Sequence, residues 1–207
     1  MATRAKVSKG EIDWAKMTLE GQGKDEGQID SSGSQQSNMA QIDLMLYKFI
    51  EHRQLFEFIE VYKVYLKGDQ KLTEAPENLG GKTFLHLAVE HSATEIVSYL
   101  LLDAKVDPNL LSHNSQMGVL HVAVSFQRND LIDLILMSER TDINLMSSLH
   151  GTPLHLACKI GNLKIVQQLL INGADIFLKS LKNGKLAKDS TDNQRIVFLI
   201  EKYEKLR

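Results

Sequence analysis

Cysteine, proline and tryptophan are scarce in this 207-residue chain, with one, three and one respectively, and no long apolar run interrupts it. The lone thiol, Cys158, has no second cysteine to pair with, which excludes a fold stapled by intramolecular disulfides. No apolar stretch approaches the roughly 20 residues that a membrane-spanning helix requires, so no membrane span is expected. The opening MATRAKVSKG lacks the apolar core of a signal peptide. It is basic in the manner of a transit peptide, but Glu11 and Asp13 follow at once, and a cytoplasmic protein is expected. Neither sign of charge dominates: 24 Lys and Arg stand against 26 Asp and Glu, a net charge of −2. Nucleic-acid binders present a basic face that neutralises phosphates, so no nucleic-acid partner is expected.

What is present is 43% hydrophobic residues, enough to bury a core, unevenly distributed. Residues 1–38 form a distinct arm. GQGKDEGQIDSSGSQQSN, from Gly21 to Asn38, has one large apolar residue, Ile29, and cannot bury enough surface to offset its ordering entropy. Upstream lie Ile12, Trp14, Met17 and Leu19. They read either as a solvated tail or as a docking peptide on a flexible tether. From Asn38 the pattern turns helical. Ile42, Leu46, Phe49 and Ile50 share one face of a helix ending near Glu51, and Leu55, Phe58, Ile59, Tyr62, Tyr65 and Leu66 share one face of a second. The pair has an apolar side that needs a neighbour.

Three similar segments follow: GKTFLHLAVEHSATEIVSYLLLDAKVDPN from Gly81, GVLHVAVSFQRNDLIDLILMSERTDIN from Gly118, and GTPLHLACKIGNLKIVQQLLINGADIF from Gly151. Their histidines, His86, His121 and His155, are 35 and 34 residues apart. Each has an i, i+3, i+4 apolar triplet downstream: Val97, Leu100, Leu101; Ile132, Ile135, Leu136; Val166, Leu169, Leu170. These units resemble the ankyrin repeat, with its TPLHLA opening and its LLxxGADxN close. Residues 151–175 match that pattern nearly in full, whereas 118–144 has Gly118 for the capping threonine and Val119 for the proline. A fourth, capping unit is read by aligning Leu186 and Ala187 with Leu156 and Ala157, and Ile196 and Val197 with Ile165 and Val166, with a shortened loop.

The resemblance implies an all-α solenoid of stacked helix-turn-helix units: a cap pair over 39–80, repeats over 81–117, 118–150 and 151–183, and a capping repeat over 184–207. Thr152 and Thr83 are helix N-caps, Pro153 takes the first helical position, and Gly173 ends a helix in the left-handed region. Lys105 and Arg140 stand where Gly173 does, so their helix ends are expected to be strained or differently made. The resemblance also implies that His86, His121 and His155 hold turns between repeats, with Thr83 and Thr152 as partners of the first and last. Helices packed about 8–10 Å apart would spread these histidines along the stack, too far apart for one zinc ion with bonds of about 2 Å. Cys158 takes the place of an alanine and reads as a small buried thiol.

No nucleophile constellation accompanies the histidines, and GQGKDEG at 21–27 has no strand and helix around it to make a phosphate loop. No enzyme activity, cofactor or metal is expected. Ankyrin stacks bind proteins through their turn tips and first helices, a concave face. The matching positions here are Leu79, Lys82, Glu90 and His91; Asn114, Ser115, Met117, Ser125 and Phe126; and Ser148, Leu149, Lys159 and Ile160. Phe126, Ile160, Met117 and Leu149 suggest an apolar interface there, unless Phe126 folds inward to fill the degenerate repeat. Lys179, Lys182, Lys185 and Lys188, with Lys159 and Lys164, read either as a basic end suited to an acidic protein surface or as a solvated loop. The expected function is a non-catalytic scaffold or bridging subunit. A regulator that occludes a partner is the alternative, and a cytoskeletal or ciliary assembly is one setting that would suit it.

Overall fold

Thr152 has extended backbone and its Oγ1 accepts from the His155 N–H at 3.4 Å, so the helix starts where this residue pair dictates. The same pair recurs at Thr83 and His86. In the computed structural model, which describes residues 42–65 and 81–206, such starts divide the chain into helical pairs. The arm residues Ile12, Trp14, Met17 and Leu19, together with Leu66 and Leu79, lie outside the described residues. Helices α1 (42–51) and α2 (Leu55–Tyr65) form the first pair. The first repeat holds α3 (Phe84–Glu90) and α4 (Thr94–Ser98), the latter continuing as a π turn over Tyr99–Asp103. The second holds α5 (Val119–Ser125) and α6 (Asn129–Leu136), and the third α7 (Pro153–Ile160) and α8 (Leu163–Ile171). A 3-10 turn at Ala187–Ser190 and α9 (Gln194–Glu204) complete the series.

One apolar cluster runs the length of these pairs, from Leu46 and Ile50 to Ile196 and Ile200. Helices of five to nine residues are too short to stand alone in water, so this shared burial is what stabilises them. The downstream triplets supply it: all nine side chains belong to the cluster or pack against it. Phe58 joins the first pair to the first repeat by stacking on Tyr62 at 5.2 Å and meeting Phe84 and Tyr99 edge-on.

Each first helix ends in a left-handed residue: Ser92 (φ 55°), Gln127 (φ 55°) and Gly161 (φ 80°), with Arg53 (φ 56°) ending α1 likewise. Only one of the four is glycine. Ser92 carries a second burden, because its Oγ is buried without a hydrogen-bond partner. Ser92→Gly removes both the left-handed strain and the orphaned hydroxyl, and should stabilise the protein by about 1 kcal/mol. A urea midpoint unchanged or lowered by the substitution would show that Ser92 is at ease.

The second helices end in three ways. Gly173 is left-handed (φ 89°), and the next N–H, of Ala174, bonds to the Leu169 carbonyl at 3.0 Å. Lys105 takes the same conformation (φ 54°) after a widened turn in which the Ala104 N–H reaches the Tyr99 carbonyl at 2.9 Å. The first and second repeats share the same spacing from histidine to asparagine, so the residue that sets His86 and His121 35 apart rather than 34 lies in the turn, where Ser112 N–H meets the Met117 carbonyl and Ser147 N–H the Gly151 carbonyl. Arg140 does not enter the left-handed region. Thr141 closes that helix through its Oγ1, which donates to the Ile135 carbonyl at 2.7 Å.

The capping unit corrects the alignment drawn from sequence. Ser180 N–H donates to the Lys185 carbonyl at 2.9 Å, as Ser147 N–H does to Gly151 at 2.8 Å. Lys185 therefore corresponds to Gly151, so Leu186 stands at the place of Thr152 and not of Leu156. The turn is one residue longer than that before the third repeat, not shortened, and the first helix is what shrinks, to a single 3-10 turn.

Candidate protein-binding face

The turns that precede the first helices are locked to the stack by the histidines. His86 Nδ1 accepts from the Thr83 N–H at 3.2 Å, which leaves Nε2–H to donate to the Met117 carbonyl at 2.9 Å in the next turn. His155 repeats this with Thr152 at 3.2 Å and the Lys185 carbonyl at 3.0 Å. His121 lacks a threonine, yet its Nδ1 accepts from the Gly118 N–H at 3.3 Å and its Nε2–H reaches the Gly151 carbonyl at 2.9 Å. The bond to the next repeat thus survives the degenerate cap. Burial keeps these rings neutral: it pushes His86 and His121 down to about 4 and lowers His155. Each ring is held at both nitrogens, and each serves a separate turn. Among the described residues no group of three or more His, Cys, Asp or Glu converges on one point. Cys158 is wholly buried, and its thiol is pushed up to about 12.

A second ladder runs behind the turns. Asn109 Oδ1 accepts from the Asp142 N–H and Asn144 Oδ1 from the Asp175 N–H, both at 2.8 Å. Phe177 stands where a third asparagine would, and the ladder stops. Arg140 adds to it by donating from its guanidinium to the Lys105 and Leu101 carbonyls of the preceding repeat, so the residue that fails to cap its own helix caps its neighbour's.

With the turns fixed, the tips and the outer ends of the first helices carry the residues of the expected inner face. In the first repeat this face is internally occupied. Lys82 Nζ and Glu90 Oε2 pair at 2.5 Å. His91 meets the Tyr47 ring edge-on at 5.5 Å, and its carbonyl accepts from Arg53. In the second and third repeats it is open. Ser125 is exposed and Phe126 is 45% exposed, so the aromatic ring does not fold inward. Leu149 is 47% exposed at the tip of the next turn. Lys159 is exposed on α7, while Ile160 and Met117 pack partly against the core. Asn114 and Ser148 are exposed, and Ser115 is half-buried with its hydroxyl bonded to that of Ser112.

Sequence reasoning passed over His150 and Leu181. His150 lies on the third turn, its ring held by the backbone of Ser115, and burial followed by the charges of Lys159 and Lys182 disfavours its protonation. Leu181, 72% exposed, tips the last turn. Of the four lysines at that end, Lys179, Lys182 and Lys185 are exposed. Lys188 is not free, because its Nζ pairs with Glu204 Oε2 at 3.1 Å. No helix among the described residues is long and apolar enough to cross a membrane.

Comparison with known families matches residues 85–180 to ankyrin repeats, in 3 copies. No curated protein matches the chain.

Proposed function

We propose, from the premise that residues 85–180 are ankyrin repeats and hence a protein-interaction module, that this chain is a non-catalytic scaffold holding one protein on the inner face of its second and third repeats. The observation that carries this reading is the exposure of Phe126 and Leu149 on successive units whose backbone is rigidly cross-bonded. Large apolar side chains held in place at a tip and a helix end are the anchors from which interfaces draw most of their energy. The shifted histidines are fully engaged in holding turns, which supports the non-catalytic reading. A bridging role adds a second partner on the arm, through Ile12, Trp14, Met17 and Leu19. A regulator that occludes its partner uses the same face without the arm.

Phe126→Glu should abolish partner capture from native extracts while leaving the melting curve nearly unchanged, since the side chain replaced is already half in water. A chain lacking residues 1–38 should keep the partner that Phe126→Glu loses and lose a different one. Capture that survives Phe126→Glu would remove the inner face from the account. One partner common to both forms, and no other, would replace the scaffold by the regulator.

A further inference from the structure

In the second and third repeats and in the turn of the capping unit, the segments that build the inner face contain no carboxylate side chain. Residues 111–127 and 145–162 hold the turns and first helices of the second and third repeats, and 176–188 the turn of the capping unit, and none is Asp or Glu; the 3-10 turn that follows carries Asp189. The acids of this half of the chain sit elsewhere. Asp130 and Asp133 are on α6, Asp142 and Asp175 bind backbone in the ladder behind the turns, and Asp189 accepts from the Leu186 N–H. In the first repeat Glu90 neutralises Lys82, but Lys159, at the position equivalent to Glu90, is exposed. Lys182 is exposed on the next turn, and both lysines lie near enough to His150 to oppose its protonation. Phe126, Leu149 and Leu181 are exposed among these bases. A chain with a net charge of −2 therefore has one face that is positive and apolar together.

We infer that this face binds an extended acidic segment of a partner protein, with carboxylates against Lys159 and Lys182 and an apolar side chain between Phe126, Leu149 and Ile160. The inference rests on the inner face being the binding face and names the chemistry of what it holds. Complementary charge fixes the register and speeds encounter, and the apolar anchor supplies retention. The bases are few and separated by apolar side chains. A polyphosphate backbone, with a charge at every step, would leave most of its phosphates unmatched here.

A library of random dodecapeptides displayed on phage, panned on the full chain, tests this. Selected peptides should be enriched in Asp and Glu beside one aromatic or aliphatic residue. A synthetic selected peptide should bind the Lys159→Glu, Lys182→Glu double variant about tenfold or more weakly. Lys164→Glu, on the second helix of the same repeat, should leave binding unchanged, and matching melting curves show that all variants fold. Peptides lost with Phe126→Glu but not enriched in acids would overturn the acidic partner and leave the inner face standing. Acidic peptides indifferent to Phe126→Glu and to the double variant would overturn both. Tighter binding to phosphatidylserine vesicles or to single-stranded DNA than to any selected peptide, or no enrichment at all, overturns the inference as well.

Discussion

Gly151→Ala should lower the unfolding free energy by about 2–5 kcal/mol, from left-handed strain and forced overlap together. Gly151 has φ +75°, and a Cβ placed there would lie 2.8 Å from His155 Cγ and 3.0 Å from His155 Cβ. The imidazole has nowhere to go, since Nδ1 is bonded to the Thr152 N–H and Nε2 to the Lys185 carbonyl. Nor can the backbone at Gly151 shift freely, because its carbonyl accepts from both His121 and Ser147. Gly161 is the control: it is left-handed too (φ +80°), but nothing lies within 4 Å of its added Cβ. Gly161→Ala should therefore lose only the strain, about 1–2 kcal/mol. Equal urea midpoints for the two variants would show that the turn around Gly151 rearranges without loss.

Acid should destabilise the protein before most of its carboxylates are titrated. His86 and His121 are held near 4 in the native state, whereas an imidazole in an unfolded chain titrates near 6.5. Between those values the unfolded chain binds more protons than the folded one, so stability is complete above about pH 6.5 and is lost as the pH falls towards 4. Each such histidine contributes a slope approaching about 1.4 kcal/mol per pH unit in that window. His155, lowered as well, acts in the same direction. Urea unfolding followed from pH 7.5 to 4 should show this fall. His121→Leu, less stable at neutral pH, should show a slope smaller by about one proton. A flat profile down to pH 4.5 would mean that the rings are protonated in place.

Much of this architecture is legible in the residues because its signals are local. A threonine three positions before a histidine caps a helix wherever it stands, and the apolar triplets mark the buried side of each second helix. What escaped reading was not local. Ser92 and Gln127 sit in the left-handed region without being glycine, so nothing in their identity announces it. Arg140 looks like a misplaced helix end until the carbonyls it binds, 35 and 39 residues back, come into view. The capping unit misaligned because Leu186 stands for a threonine and Asp189 for a histidine, the same bonding carried by different residues. On the inner face, Phe126 and Leu149 follow from the period, while the pairing of Lys82 with Glu90 and of His91 with Tyr47 depends on how the helices lie. The acid-free stretches were visible in part, over 176–188. Only the fold joins them to 111–127 and 145–162.

The widened turn at Tyr99–Asp103 separates two lengths that are locked together in most helical proteins. Adding one residue to a continuous helix turns everything beyond it by about 100°, and the error carries to the end. Here the added residue stays where it was put, because His86 and His121 each find the next turn by a bond to a carbonyl 30 or 31 residues on, whatever follows their own helix. Chain length can drift from unit to unit while the spacing in space holds. Insertions at the ends of the second helices should accordingly leave the phase of the stack intact, and insertions between a histidine and the cap residue three positions before it should not.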